Sequence, residues 1–459
     1  MYKIHLILKY LRKRRIAWVS LIAVMLCTTM VLVVISVMGG WIRMFRESFH
    51  NIGGDVVVQG KTLEGFPYYE QMIEQMTALP EVKAAAPVLR SFALINVGNE
   101  IRKGVEVVGY PANITEINGF TDSLHLRKGG SLDFSLRDDV KYVPPPTYQS
   151  PRPVTEWDGM IVGLGVLGLG KDEKGEIERP SIMYRIPVTL TVLPISTESS
   201  TLDMTDKTSR YFWIVDDSRT KVYLYDANTV YVPFDVLQRD LKMEKTDEQT
   251  ARTTEIHVSL KPGANLAVAR EKVAKIVDTI AKERGFYDRF PPIYAVKTWE
   301  ETHATFLGAV EKEKILVTFL FSIISIVAIF LIFCIFYMIV VEKTRDIGII
   351  KSVGATSTGV AGIFLGYGMA IGIVGGGLGL LLGYLIVHNI NWLHDTMAKM
   401  TGQYVWNPET YLFDTIPNTM NTTEVIVIVG VAIVSSIVGA LVPAIRAARM
   451  HPVEALRWE

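Results

Sequence analysis

Hydrophobic and polar positions along the 459-residue chain follow two regimes. Four stretches, 16–38, 315–341, 359–387 and 425–442, are apolar and carry no charged residue. Each is close to or above the roughly 20 residues that a helix needs to cross the hydrocarbon core of a bilayer. Uncharged runs of this length are poorly explained as helices buried in a soluble core. The first run has a basic lead, as a signal peptide does. However, its apolar stretch exceeds the usual span of about 7–15 residues and no A-x-A site follows, so a retained anchor is expected.

Between the first two runs the pattern changes to short segments rich in branched and aromatic residues. Strands are expected at "DVVVQG" (55–60), "GVEVVGY" (104–110), "IPVTLTVLPI" (186–195), "KVYLYDANTVYVPF" (221–234) and "EIHVSL" (255–260). Amphipathic helices are expected at "YYEQMIEQMTALPEV", after Pro67, and at "NLAVAREKVAKIVDTIAKER". The stretch "VPPPTYQSPRP" (143–153) reads as a stiff connector, 196–209 as a polar loop, and 298–314 as a helical stalk leading into the second run. The expected fold is thus an α-helical membrane protein. Four transmembrane helices carry a large α+β extracytoplasmic domain between helices 1 and 2, and a β-rich subdomain is inserted at about 100–250.

Charge supplies the orientation. Lys9, Arg12, Lys13, Arg14 and Arg15 precede the first run, Lys343, Arg345 and Lys351 follow the second, and Arg446, Arg449 and Arg457 follow the fourth. The positive-inside rule then puts 1–15, 342–358 and 443–459 in the cytoplasm, and 41–312 and 388–424 outside. Overall charge is balanced, with 47 basic and 47 acidic residues, which excludes nucleic-acid binding driven by bulk charge. The two cysteines, Cys27 and Cys334, both fall inside apolar runs, so the external domain must be held by its own core rather than by disulfides.

The most enzyme-like string is "IVGLGVLGLGKDEKGE" (161–176), in which Gly163, Gly165 and Gly168 spell G-x-G-x-x-G. A phosphate loop needs Ser or Thr after its lysine, whereas Asp172 follows Lys171, and the string lies on the side expected to lack ATP. A turn and a short helix are the expectation there. No other catalytic signature is present, and no catalytic or metal-binding residue is expected. His388 and His394 flank a membrane exit without a ligand set, and Glu311 and Glu313 alternate with lysines as a solvated face does. The apolar runs contain no ionisable acid or base, which argues against an ion path or a secondary transporter.

Two features remain. The cytoplasmic stretch "EKTRDIGIIKSVGATS" (342–357), read as a helix, puts Ile347, Ile350 and Val353 near one face and Lys343, Asp346 and Lys351 elsewhere, with Gly354 as its stop. Such a helix suits the membrane surface and equally the grip of a soluble motor subunit. The third run carries glycines four apart, including Gly372, Gly375, Gly376, Gly379 and Gly383, which favours close helix packing or a kinkable span.

With these segments in order, the chain resembles the permease subunits of lipoprotein-releasing ABC transporters, within a wider group of macrolide-exporter and cell-division permeases. The resemblance rests on "KYLRKRR" with "SVMGGW", "KTWEETHATFLGAVEKEK", "EKTRDIGIIKSVGAT", "YLFDTIP" (411–417) and "PAIRAARMHPVEALR" (443–457). It implies a permease dimer, homo- or heteromeric, in the bacterial inner membrane with both termini cytoplasmic. ATP and Mg would be bound by a separate ATPase, so this chain would hold no cofactor and would not itself be an enzyme. Glu342, Lys343, Arg345, Asp346, Ile347, Ile350, Lys351 and Gly354 would dock that ATPase. The resemblance further implies membrane lipids, a lipoprotein substrate and a periplasmic carrier as partners. Thr201, Leu202 and Met204 mark the stretch where one subunit type offers the carrier a proline-bearing hook, but this stretch has no proline. The rival outputs are regulation of an external partner such as a cell-wall hydrolase, and export of amphiphiles.

Overall fold

A computed structural model describes residues 15–97, 101–137, 156–169, 179, 183–184, 187–194, 207–286, 293–401 and 415–456. The chain forms two compact units: Met1–Arg43, Gly308–Val405 and Thr415–Glu459 make the first, Met44–Leu307 and Trp406–Asp414 the second.

Four helices long and apolar enough to cross a membrane run through the first unit: α1 (Arg15–Gly53), α7 (Ala304–Glu342), α9 (Ser357–His388) and α11 (Thr422–Arg449). Their starts follow ordinary capping rules. The Thr356 side chain accepts from the Gly359 N–H at 3.1 Å, and Asn421 accepts from Thr423 N–H at 3.1 Å. Between α7 and α9 lies the short α8 (Thr344–Ser352), which ends where Gly354 adopts φ +103°.

The second unit, in contrast, is built on a nine-stranded sheet, ordered β11-β1-β10-β3-β4-β8-β5-β7-β6, in which β3 also pairs with β6. The strand responsible is β3 (Val82–Val97), whose first half pairs with β10 (Glu255–Leu260) and whose second half pairs on opposite sides with β4 (Ile101–Tyr110) and β6 (Pro187–Val192). That double pairing closes β3, β4, β8 (Thr229–Pro233), β5 (Asp158–Gly163), β7 (Thr208–Ser218) and β6 into a barrel. Its interior is filled by Leu89, Ile95, Val107, Met160, Val162, Leu190, Phe212, Ile214 and Val230, so the barrel is a core and not a channel. The remaining open sheet, β11 (Tyr294–Thr298), β1 (Val56–Gly60), β10 and the start of β3, is covered by α2 (Tyr69–Thr77) and α5 (Leu266–Glu283) through Met72, Met76, Val273, Val277 and Ile280.

Three expectations need correction or qualification. Residues 221–234 were expected as a strand, but α3 (Tyr223–Asn228) is helical and only Thr229–Pro233 extends. The cause is tertiary: the buried Asp226 carboxylate accepts from Thr220 N, Thr220 Oγ1 and Lys221 N at 2.7, 2.8 and 3.1 Å and folds the segment back on itself. The stalk is also not one helix, because α6 (Trp299–Thr302), opened by a Thr298–Glu301 capping box, breaks from α7 at His303. The opening of 161–176 is the end of β5, a 3-10 turn at Leu164–Leu167 and Gly168 at φ +65°, while Gly170, Lys171 and Asp172 lie outside the described residues, as do 143–153.

Candidate functional site

The glycines of the third apolar helix set the architecture of the membrane unit. They form two ridges on α9. A Cβ on Gly372 would lie 2.8 Å from the Ile433 Cα, and Gly376 faces Ala432 and Val429, so this ridge packs on α11. A Cβ on Gly375 would lie 3.0 Å from the Val24 Cβ, one on Gly379 2.7 Å from the Met25 carbonyl oxygen, and one on Gly383 3.0 Å from Leu32, so the second ridge packs on α1. Thr29 Oγ1 also reaches the Gly379 carbonyl at 3.1 Å. The third helix is thus wedged between the first and fourth, at Gly372 and Gly379 at distances that only a hydrogen side chain permits.

The second helix is held differently. Its half nearer α8 is packed through Ile332, Phe336, Ile339 and Val340. Its other half, by contrast, presents Ile315, Leu316, Phe319, Leu320, Ile323, Ile326, Val327 and Phe330 as exposed apolar side chains. Between this half, α1 and α11 runs an apolar groove of about 340 Å³, lined by Val31, Ile35, Phe321, Ile326, Val427 and Val431 and dotted with the Thr28, Ser322, Ser325 and Ser435 hydroxyls. Beyond one end of the groove, Lys314 at the start of α7's apolar stretch pairs with Glu424 in the first turn of α11 at 2.9 Å.

At the other end α8 is fixed to its neighbours. Ile347 is buried with Val340, Val360 and Ala447, and Lys351 Nζ donates to the Ala448 and Met450 carbonyls at 2.7 Å each, closing the C-terminal end of α11. Lys343 pairs with Asp346, and Glu342 and Arg345 are exposed. Ile350 is half-buried. The apolar residues turned outward are Ile349, 47% exposed, and Val353, 83% exposed, in line with Arg345.

In the external unit His303, at the helix break, binds three partners. Its ring stacks on Phe49 with centroids 4.1 Å apart. Nδ1 is 2.9 Å from the Trp299 carbonyl, which can only accept, so Nδ1 carries the proton and the Tyr225 hydroxyl donates to Nε2 at 2.9 Å. Burial lowers the His303 pKa and keeps the ring neutral. Arg90, bonded to Glu106 at 2.9 Å and Glu255 at 3.2 Å, continues this polar face. Burial opposes charge on Glu255, but Arg90 and His257 outweigh it and hold its pKa at about 2. The sequence reading missed this joint, because a lone histidine in "ETHATFLG" carries no spacing signal. Elsewhere His388 stacks on Tyr384, and His394 sits beside Asp395. Thr201, Leu202 and Met204 lie outside the described residues.

Two family models match this arrangement: the FtsX-like permease C-terminal domain over 318–452 and the MacB-like periplasmic core domain over 17–140. Residues 318–452 thus match an FtsX-like permease C-terminal domain and residues 17–140 a MacB-like periplasmic core domain, in a chain with four helices long and apolar enough to cross a membrane and an α+β domain between the first two. It is 30% identical over 166 residues to the lipoprotein-releasing system transmembrane protein LolC of Xylella fastidiosa, covering 36% of this chain and 40% of that protein. It is 28% identical over 119 residues to LolE of the same kind of system in Haemophilus influenzae, covering 26% of this chain and 29% of LolE. With the macrolide export ATP-binding/permease protein MacB of Campylobacter fetus it shares 26% identity over 234 residues, which is 51% of this chain and 31% of MacB. The matched stretches therefore span less than half of these relatives.

Proposed function

We propose that the chain is a permease subunit of an ABC transporter that lifts lipoproteins out of the bacterial inner membrane. The observation that carries this reading is the 340 Å³ apolar groove, open along the bare half of the second helix, which suits acyl chains in transit. The similarity to the LolC and LolE components of lipoprotein-releasing systems supports the choice of cargo.

In this mechanism a separate cytoplasmic ATPase binds ATP and Mg and grips α8 through Arg345, Ile349 and Val353. Because Ile347 and Lys351 tie α8 to the ends of the second, third and fourth spans, movement of α8 displaces those helices together. A second permease subunit faces the groove, and a periplasmic carrier receives the released lipoprotein. Both termini lie in the cytoplasm, a placement that the basic flanks support.

Proteoliposomes holding the permease pair, its ATPase and a triacylated lipoprotein test the reading. ATP-dependent transfer of the lipoprotein to a soluble acceptor is expected. Nucleotide-driven rearrangement without transfer would favour a regulatory permease instead.

A further inference from the structure

A second groove, of about 660 Å³, lies within the helical unit at the end where α8 is fixed, and the transport reading does not use it. Its walls come from the first turn of α9, the last turn of α11 and the residues that follow α11. Lys351, Arg449 and His451 line it, and no aspartate or glutamate is among the lining residues. Arg449 and His451 are exposed, and neither enters an ion pair among the described residues. Lys351 uses two N–H donors on the Ala448 and Met450 carbonyls at 2.7 Å each, which leaves its third donor and its whole charge. Ser357 and Thr358 add hydroxyls, whereas Ala361, Ile445 and Met450 make an apolar lining.

The groove also continues an apolar track along α11. Val434, Val438, Leu441 and Ile445 are each between 41% and 59% exposed, and exposed Arg449 follows them. Steps of three and four residues keep all five on one side of the helix. The packed side is another, marked by the buried Ser436, Ala440, Ala444 and Ala447. Both walls of the groove, moreover, lie where apolar runs end within the same unit. The run 359–387 begins directly after Thr358, and the run 425–442 stops just before Ile445.

Two cationic side chains and a histidine, with no acid among them, call for an anion. The apolar lining and the track decide its kind. Inorganic phosphate would fill a fraction of the groove and make no use of Ile445. An acidic peptide would leave the track bare. A zwitterionic headgroup would set its own cation against Lys351 and Arg449. An anionic phospholipid satisfies both parts, because its phosphate meets the basic groups while its hydrocarbon covers α11, as in other basic pockets between membrane helices.

We propose that this groove is a headgroup site for anionic phospholipids, with the phosphate held by Arg449, Lys351 and His451 and an acyl chain laid along Val434, Val438, Leu441 and Ile445. The assignment does not depend on which cargo the permease carries.

Lipid titration of the purified full chain in detergent, read by native mass spectrometry, tests the proposal. The probes are phosphatidylglycerol and phosphatidylcholine with identical acyl chains. Phosphatidylglycerol is expected to bind about tenfold tighter. Arg449→Gln should cut that preference about fivefold, the contribution of one basic residue at a lipid headgroup. Arg446→Gln is the control: it removes the same charge from a side chain that lies over the Tyr337 ring and outside the groove, and it should leave the preference unchanged. Inorganic phosphate should fail to displace bound phosphatidylglycerol. Equal affinity for the two lipids in the unmutated chain, displacement by inorganic phosphate, or equal losses in the two variants would overturn the proposal. An intact preference in Arg449→Gln, with loss of the ATPase or of a second permease copy, would assign the groove to a protein and overturn it as well. The first two outcomes need no variant, and unfolding temperatures measured alongside identify any variant that fails to fold.

Discussion

The second and third apolar helices solve the same solvent problem with opposite side chains. In the most apolar window of the third, 39% of residues are buried, against 22% in the second. The third is rich in glycine and lies against two neighbours at backbone distance. The second carries isoleucine, leucine and phenylalanine, and its half before Ile332 is bare. In a bilayer, apolar surface alone gives no drive for helices to associate, so small residues that permit close van der Waals contact decide what stays packed. Bulky residues are left for lipid, a partner subunit or a guest chain. The contrast separates a close-packed hub, made of the first, third and fourth helices, from a wall whose outer half is bare.

Substitutions that exchange these characters should have the largest effects. Gly379→Leu would drive a side chain into the Met25 carbonyl and Thr28, and we expect the protein not to accumulate in the membrane. Even Gly379→Ala should cost about 1–3 kcal/mol, as overpacking does. Gly377→Ala, which meets nothing within 4 Å, should be neutral or stabilising by up to about 1 kcal/mol through helix propensity. Thermal unfolding in detergent measures all three; equal losses at 377 and 379 would dissolve the distinction.

The short helix α8 sharpens the comparison on a second scale. Ile347→Asp puts a charge among Val340, Val360 and Ala447 and should destabilise by about 3 kcal/mol or more. Val353→Asp should stay within about 0.5 kcal/mol in stability yet lose association with the ATPase. Co-purification of the ATPase alongside the unfolding curve separates the two outcomes. Retained ATPase binding in Val353→Asp would remove the docking face assigned to it.

Outside the spans, buried charge adds to the apolar core in holding elements together. Glu255 has a folded pKa of about 2, below its unfolded value, so its contribution is complete above the unfolded pKa and is lost as pH falls from about 4 to 2. That contribution is about 2–3 kcal/mol by linkage. Glu255→Gln should remove this acid-sensitive part of external-unit unfolding, measured by chemical denaturation between those pH values, while the glycine-packed hub shows no matching transition. A small stability effect also belongs to the partly exposed Lys314–Glu424 pair: Lys314→Met should change stability by less than about 1 kcal/mol while raising acyl-lipid occupancy of the groove, measured by bound-lipid analysis.

How much of this was legible follows from which forces act locally. The four apolar runs could be read directly, because the bilayer demands length and lack of charge and nothing else compensates. The glycine ridges were visible too, but not that 372 and 376 meet the fourth helix while 375, 379 and 383 meet the first, since periodicity gives a face and not its neighbour. The same limit applies to α8: the spacing groups Ile347 with Val353, whereas burial separates them, because Val360 and Ala447 arrive from elsewhere in the chain. The helix at Tyr223–Asn228 was hidden by aromatic and branched residues that favour strands, and only the buried bonds to Asp226 reveal why it turns. Barrel closure depends on β3 serving two partners at once, which no local pattern encodes.

The central claim is that acyl chains enter along the bare half of the second helix and not along the glycine-packed hub. Site-specific photocrosslinking in proteoliposomes with the partner subunits and a triacylated lipoprotein tests it most directly, with probes at Ser325 in the groove and at Leu381 on the exposed side of the third helix. The account predicts lipoprotein adducts at Ser325 that disappear on ATP-driven release, with Leu381 capturing only bulk lipid. Equal lipoprotein capture at both positions, or capture at Leu381 alone, would contradict it.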